Sequence, residues 1–219
     1  MKTGDDMRSK EFLKSLETKS QVLSSNPDSV IGEYEAFFAA NGIFYSNDVV
    51  AFRKNLKGHI ELAEQIIIFY EKAKLENERI AILEDLCATG YNKDNLVEMI
   101  LEVFRTQKES IYLWEYGDLL YSLKHFKYLP QYLEIIENKS LGTARQMVVL
   151  LVGKSKKSNV IPVLKDLLND PDVYGHALDA LTNFSGQDIE EIMKSFQTCK
   201  IAWIRNTATK YLRKKGLTS

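Results

Sequence analysis

The sequence predicts an all-α protein of about eleven or twelve helices, built as a right-handed α-solenoid of antiparallel helix pairs. Apolar residues recur at positions i, i+3, i+4 and i+7 along nearly the whole chain, which is the spacing of one helix face. Only 4 Pro and 11 Gly interrupt the 219 residues, and alternating strand patterns are scarce. One pattern also repeats about every 30 residues in the C-terminal half, as is typical of helical solenoids.

The repeat is centred on four anchor residues, each in the middle of a predicted helix: Gly117, Val148, Ala177 and Ala208. The anchors are 31, 29 and 31 residues apart. The segments that carry the pattern are LWxxGxxLY at 113–121, ARxxVxxLV at 144–152, VYxxAxxAL at 173–181 and IRxxAxxYL at 204–212. A period near 30 leaves room for two helices in each unit.

A second helix follows each of the first three anchor helices. These second helices open with Leu129-Pro130, Ile161-Pro162 and Ile189-Glu190. Proline suits the first turn of a helix, because the N–H that it lacks has no partner there. The polar stretch 169–172 then turns the chain into the next unit, and we expect Asp172 to cap the helix that follows.

These segments resemble the HEAT repeat family. The sequence DPDV at 170–173 is similar to that family's turn between repeats, and IRxxA at 204–208 is similar to its first-helix pattern. Trp114 and Tyr174 depart from the pattern, since an arginine is usual there. The resemblance covers residues 110–215, with a looser unit at 79–100, and implies HEAT-like helix pairs without specifying a function.

The N-terminal part is less regular. We expect helices near 7–24, 28–41, 47–56 and 58–75, with Asp28 or Ser29 as a cap for the second of them. Four aromatic residues of this part, Phe37, Phe38, Phe44 and Tyr45, predict a terminal cap over the apolar face of the first repeat. The predicted regions are therefore an irregular helical cap over residues 1–76 and HEAT-like repeats over residues 77–219.

Charge and cysteine content favour a cytoplasmic protein without a general attraction to nucleic acid or membranes. The formal net charge is −1, with −5 on residues 1–110 and +4 on residues 111–219. The two cysteines, Cys87 and Cys199, lie outside any CxxC motif, which argues against a disulfide framework. The first six residues contain no apolar stretch, so we expect no signal peptide.

Aromatic residues are unusually dense between 112 and 132. We select Trp114, Tyr116 and Tyr132 as partner-binding candidates, because aromatic side chains bury much area at low entropic cost. Asp118 joins them, since it follows Trp114 by one helical turn and shares its stripe. Core packing between adjacent repeats is the alternative explanation of the same cluster.

The second helices have predominantly acidic outward positions. Seven carboxylates and two lysines are expected there, together with Gln131: Glu98, Glu102, Glu134, Glu137, Asp166, Glu190, Glu191, Lys165 and Lys194. The second helices of a solenoid usually line its concave face, so we expect an acidic concave face that repels phosphate and binds a basic protein. An ordinary solvated surface is the alternative.

Cations are concentrated near the C-terminal end, at Arg205, Lys210, Arg213, Lys214 and Lys215, with further lysines at 154, 156 and 157. Favourable placement of cations at helix C-termini explains such a cluster without a ligand.

Signals for catalysis, metal binding or a cofactor are weak. The three histidines are isolated, and the chain lacks GxxxxGK[ST], GxGxxG, GxSxG and HExxH motifs. One alternative is a DNA-binding protein similar to HEAT-like alkylpurine DNA glycosylases, which hold a damaged nucleotide with Trp and Asp one turn apart. Trp114 and Asp118 have that spacing, with Trp203 or Arg145 as further contacts, but an acidic concave face disfavours DNA.

The sequence therefore favours a protein-binding scaffold or adaptor with no cofactor, no metal and no enzymatic activity. A narrower version is an immunity protein or antitoxin that inhibits a basic toxin. We expect its partner to be another protein with a basic surface, and neither nucleic acid nor a membrane.

Overall fold

The computed structural model describes residues 26–45, 48–107 and 110–217, and these residues form helices and no strands, which confirms the all-α prediction. The α-helices are α1 (Ile31–Ala40), α2 (Val49–Leu56), α3 (Ala63–Lys72), α4 (Glu76–Thr89), α5 (Lys93–Thr106), α6 (Leu113–Leu123), α7 (Leu129–Glu137), α8 (Gln146–Lys154), α9 (Ile161–Asp166), α10 (Tyr174–Leu181), α11 (Gln187–Ser195) and α12 (Ala202–Lys214). Short 3-10 segments precede or follow several of them. The helix predicted at 7–24 lies outside the described residues.

The chain divides into two compact units, one up to Leu96 and one from Val97 onward, and the boundary falls within α5. The predicted boundary between residues 76 and 77 lies inside the first unit. In that unit, α4 packs against α2 and α3.

Aromatic rings form the core of the first unit. The ring of Tyr34 lies 4.7 Å from that of Phe38 and 5.1 Å from that of Phe69, and Phe38 lies 5.0 Å from Phe52. Tyr34 and Phe38 are fully buried, whereas Phe44 is 79% exposed. The predicted cap aromatics therefore play different roles, because only some of them face inward.

A buried carboxylate links three helices of the first unit. Asp85 on α4 accepts hydrogen bonds from Tyr34 Oη of α1 at 3.2 Å and from Arg53 Nε of α2 at 2.9 Å. Arg53 also pairs with Glu84 at 2.5 Å. Burial raises the pKa of the Asp85 carboxyl to about 6, although the charge of Arg53 opposes the shift.

The second unit contains the four predicted anchor helices, α6, α8, α10 and α12, which we call the first helices. Each first helix packs against the next one along the chain. The second helices α7, α9 and α11 each pack against the first helix that follows them. All four anchor residues are buried. Pro130 and Pro162 lie in the first turns of α7 and α9, as predicted.

Small residues let the first helices approach one another closely. A Cβ atom added to Gly153 of α8 would lie 2.6 Å from the Cβ of Ala180 on α10. A Cβ added to Gly175 of α10 would lie 2.4 Å from the Trp203 ring of α12. Glycine is required at position 153, because the Cα and carbonyl oxygen of Ala180 also lie within 2.9 Å of the added atom. At position 175 an added Cβ would displace the Trp203 ring.

A fully buried arginine joins two turns of the second unit, the one that follows α7 and the one that precedes α10. Arg145 donates to the carbonyl oxygens of Gly142 at 2.9 Å and Ile136 at 3.0 Å, and to Asp170 Oδ2 at 2.9 Å. The prediction that Asp172 caps α10 was wrong: the N-cap residue is Val173, without a side-chain hydrogen bond. Asp170 organises this turn instead, since its Oδ1 accepts the Asp172 N–H at 3.1 Å.

Gly153→Ala tests the close approach of α8 and α10. We expect it to lower the free energy of unfolding by about 1–3 kcal/mol, because the added methyl group must push the two helices apart. Gly32→Ala in α1 is the matched control, since no atom lies within 4 Å of its added Cβ. Urea denaturation of both variants measures the difference, and equal effects would contradict this account of the contact.

Asp170→Asn tests the buried ion pair. We expect a loss of about 3 kcal/mol of unfolding free energy, because the charge of Arg145 loses its buried counter-ion. The control is Asp172→Asn: this carboxylate lies 3.7 Å from Arg145 but is 44% exposed, so its loss is expected to cost less than about 0.5 kcal/mol. Similar losses in the two variants would show that burial of Asp170 is not decisive.

The raised pKa of Asp85 predicts a pH dependence of stability. Between the unfolded pKa of about 4 and the folded pKa of about 6, the folded state binds more protons than the unfolded state. The stabilisation by protonated Asp85 is therefore present below about pH 4 and is lost as the pH rises through about 6. Denaturation of wild type, Asp85→Asn and the exposed control Glu33→Gln between pH 4 and 7 measures the free energy of unfolding as a function of pH. If Asp85→Asn kept the pH dependence of wild type, Asp85 would not be its cause.

Candidate functional site

Helices α5 and α7 carry four of the predicted partner-binding carboxylates on exposed positions. Glu98 and Glu102 are four residues apart on α5, and Glu134 and Glu137 are three apart on α7. Both spacings place the two side chains of a helix on one side of it. Arg105 lies within reach of both α5 carboxylates, at 3.6 Å from Glu98 and 3.3 Å from Glu102. One arginine therefore partly neutralises this pair.

A groove of about 250 Å³ runs between the C-terminal half of α5 and α7. We call it the α5–α7 groove, and its lining residues are Leu101, Phe104, Arg105, Gln131, Glu134, Ile135, Asn138 and Leu141. The four apolar residues among them are each at most 8% exposed and form a closed floor. The polar members surround that floor.

The groove combines apolar surface with unused hydrogen-bonding capacity. Gln131 Oε1 is buried and has no hydrogen-bond partner among the described residues, so it can accept a hydrogen bond from a ligand. Glu134 adds an exposed carboxylate. The groove thus suits an apolar side chain that is flanked by a donor or a cation.

The remaining acidic candidates do not line this groove. On α11, Glu191 is exposed and accepts from Gln187 Nε2 at 3.2 Å, whereas Glu190 is half-buried. Lys165 of α9 pairs with Asp188 of α11 and so ties these two helices together. Asp166 and Lys194 are exposed.

Two of the three aromatic candidates lie in the core rather than on the surface. Tyr116 and Tyr132 are fully buried, and Tyr132 Oη donates to the His125 carbonyl at 3.0 Å. Their selection as surface anchors was therefore wrong, because both side chains lie on the core stripes of their helices. Burial raises the pKa of Tyr132.

Trp114 remains a surface residue, with 41% of its side chain exposed. Asp118, one turn later on α6, is half-buried, and this burial raises the pKa of its carboxyl. The other tryptophan, Trp203, is 46% exposed. Its ring covers Gly175 and lies 5.4 Å from the His176 ring. In the sequence, the signal for the contact between α10 and Trp203 was Gly175, a glycine inside a predicted helix.

Sequence reasoning missed the floor of the α5–α7 groove. Leu101, Phe104 and Ile135 have ordinary core spacing, which does not distinguish the floor of a groove from a closed interior. Arg105 could have been found, because it follows Glu98 and Glu102 at helical spacings.

Other kinds of site have little support in the described part of the chain. Within residues 26–45, 48–107 and 110–217, no three His, Cys, Asp or Glu side chains are grouped so that they could hold a metal ion. No helix among these residues has both the length and the apolar character needed to cross a membrane. Burial raises the pKa of the Cys87 thiol to about 12, so this thiol is a poor nucleophile.

No family model, no curated protein and no solved structure matches this chain. Any functional assignment must therefore come from the groove, the exposed side chains and their charges.

Proposed function

We propose that the protein is a binding scaffold whose α5–α7 groove holds an amphipathic, basic segment of another protein. The observation that carries this proposal is the groove itself: a closed apolar floor beside Glu134, with three further exposed carboxylates on the same two helices. An apolar anchor in a pocket supplies affinity, and complementary charges supply specificity.

We further propose that the second unit is a short right-handed solenoid of HEAT-like helix pairs. Two facts support this: each first helix packs on the next in chain order, and all four anchors are buried. Gly175 at the start of α10 meets Trp203 at the start of α12, and Gly153 near the end of α8 meets Ala180 near the end of α10, so early turns meet early turns and late turns meet late turns. These contacts support a parallel arrangement of α8, α10 and α12, as in a stack of like pairs.

The packing changes the expected position of the acidic side chains. The first helices contact one another extensively, whereas direct contacts between successive second helices are few. In a curved stack the more closely packed row lies on the inner side. We therefore propose that the acidic second helices form the outer surface, rather than the concave face expected from the sequence.

Of two narrower hypotheses, one is compatible with this proposal and the other loses support. An immunity protein or antitoxin is a version of the same proposal, because a basic toxin is one partner that would suit an apolar groove beside Glu134 and three further exposed carboxylates. The glycosylase alternative loses one of its contacts, since Arg145 is fully buried and bonded to three protein groups. Trp114 and Asp118 alone do not distinguish a nucleotide site from a protein-binding surface, and we do not propose that activity.

Binding of designed peptides tests the groove. The probe is a labelled amphipathic helix of about five turns with leucine on one face and lysine on the other, compared with the same helix carrying glutamate. We expect the basic peptide to bind and Glu134→Lys to weaken it about tenfold, because an attraction of roughly 1 kcal/mol becomes a repulsion. Fluorescence anisotropy measures both.

Glu191→Lys, which makes the same charge change outside the groove, is the matched control and should bind almost as wild type does. Both substitutions should leave stability within about 0.5 kcal/mol, as expected for exposed positions. Equal weakening by the two variants, or equal binding of the acidic peptide, would refute the groove as the binding site.

A further inference from the structure

The C-terminal ends of α8, α10 and α12 meet along one edge of the second unit. Lys154 Nζ at the end of α8 lies 3.4 Å from Asn183 Oδ1, in the turn after α10. Tyr211 Oη of α12 donates to the Phe184 carbonyl at 3.1 Å, and Lys215 Nζ donates to Ser185 Oγ at 2.7 Å. The turn at 183–185, which follows α10, thus lies between the C-terminal ends of α8 and α12.

This edge is densely cationic. We call the following seven residues the basic edge: Lys154, Lys156, Lys157, Lys210, Arg213, Lys214 and Lys215. All seven are exposed, and in the described part of the chain none of them forms an ion pair with a carboxylate. Residues 146–165 and 192–219 contain no Asp or Glu. The like charges are therefore not offset within their own segments.

A recess of about 370 Å³ opens between α10 and α12 beside the basic edge. Its lining residues are Asp179, Thr182, Thr207, Lys210, Tyr211 and Lys214. Two ammonium groups and two threonine hydroxyls surround the recess, and Asp179 is the one carboxylate in its lining. The ammonium groups, one turn apart on α12, can face the same anionic group.

The helix dipole explains only part of this arrangement. Cations are favourable in the last turn of a helix, which accounts for Lys154, Arg213 and Lys214. Lys156 and Lys157 lie beyond the end of α8, and Lys210 precedes the last turn of α12. The helix dipole therefore does not explain these three lysines.

We propose that the basic edge binds the phosphate backbone of double-stranded nucleic acid, independently of the α5–α7 groove. Its composition favours phosphate over a protein surface: lysine and serine are depleted in protein interfaces, whereas lysine, serine, threonine and asparagine are frequent phosphate contacts. Ser155, Ser158, Asn183 and Ser185 supply such groups between the cations.

A membrane suits this edge less well. Leu217 is the one large apolar side chain exposed near the described end of α12, so the edge offers little to insert into a bilayer. Contacts to phosphates alone carry no sequence information, and binding at this edge is therefore independent of base sequence.

The test is anisotropy of the full chain with labelled duplexes of about 20 base pairs, one of DNA and one of RNA, over a range of salt concentrations. If about four to six phosphates are neutralised, the logarithm of the association constant falls with the logarithm of the salt concentration, with a slope of roughly −4 to −5. The variants are K154Q/K156Q/K157Q and R213Q/K214Q/K215Q. Each is expected to weaken binding at least tenfold and to reduce the slope by about 2 to 3.

The control K139Q/K194Q/K200Q removes the same charge from exposed lysines outside the basic edge. Retention of affinity and slope in this control supports the proposal, whereas equal loss in control and edge variants would show a bulk-charge effect and overturn it. Two further probes are tested in parallel: a poly-glutamate peptide, and vesicles that contain phosphatidylserine. Binding to either of these without binding to a duplex also overturns the proposal. Unchanged melting temperatures confirm that the variants fold.

Discussion

The close approach of the first helices is the constraint on which the second unit depends. Gly153 against the backbone of Ala180 leaves no space for a Cβ atom and sets the distance between α8 and α10, and Gly175 gives the Trp203 ring its place between α10 and α12. Because these helices run parallel and in register, their C-terminal ends meet at one edge. The second helices then pack against the first helices that follow them.

This packing separates the charges of a nearly neutral chain. The net charge of −1 conceals an acidic surface on α5 and α7 and a basic edge at the ends of α8 and α12. The two surfaces are suited to ligands of opposite charge. A single net charge for the chain is thus a poor guide to its partners, since attraction depends on the local arrangement of charge.

Buried ion pairs hold turns and helices together in each of the two units. Arg145 uses Asp170 and two backbone carbonyls to join successive turns of the second unit. Asp85 has a similar role in the first unit, where Tyr34 and Arg53 bond to it. Such pairs add little net stability but penalise misplacement of either partner, because an unpaired buried charge is costly.

The sequence by itself determined the helical class, the four anchors and the placement of Pro130 and Pro162 in the first turns of α7 and α9, because these depend on local spacing and backbone chemistry. It did not show whether a given aromatic or charged side chain is exposed: Tyr116 and Tyr132 lie in the core, and Arg145 is buried against Asp170. The α5–α7 groove and the basic edge were decided only by the tertiary structure. Both bring together residues from helices distant in sequence, and helical periodicity specifies which face is apolar but not which helix covers it.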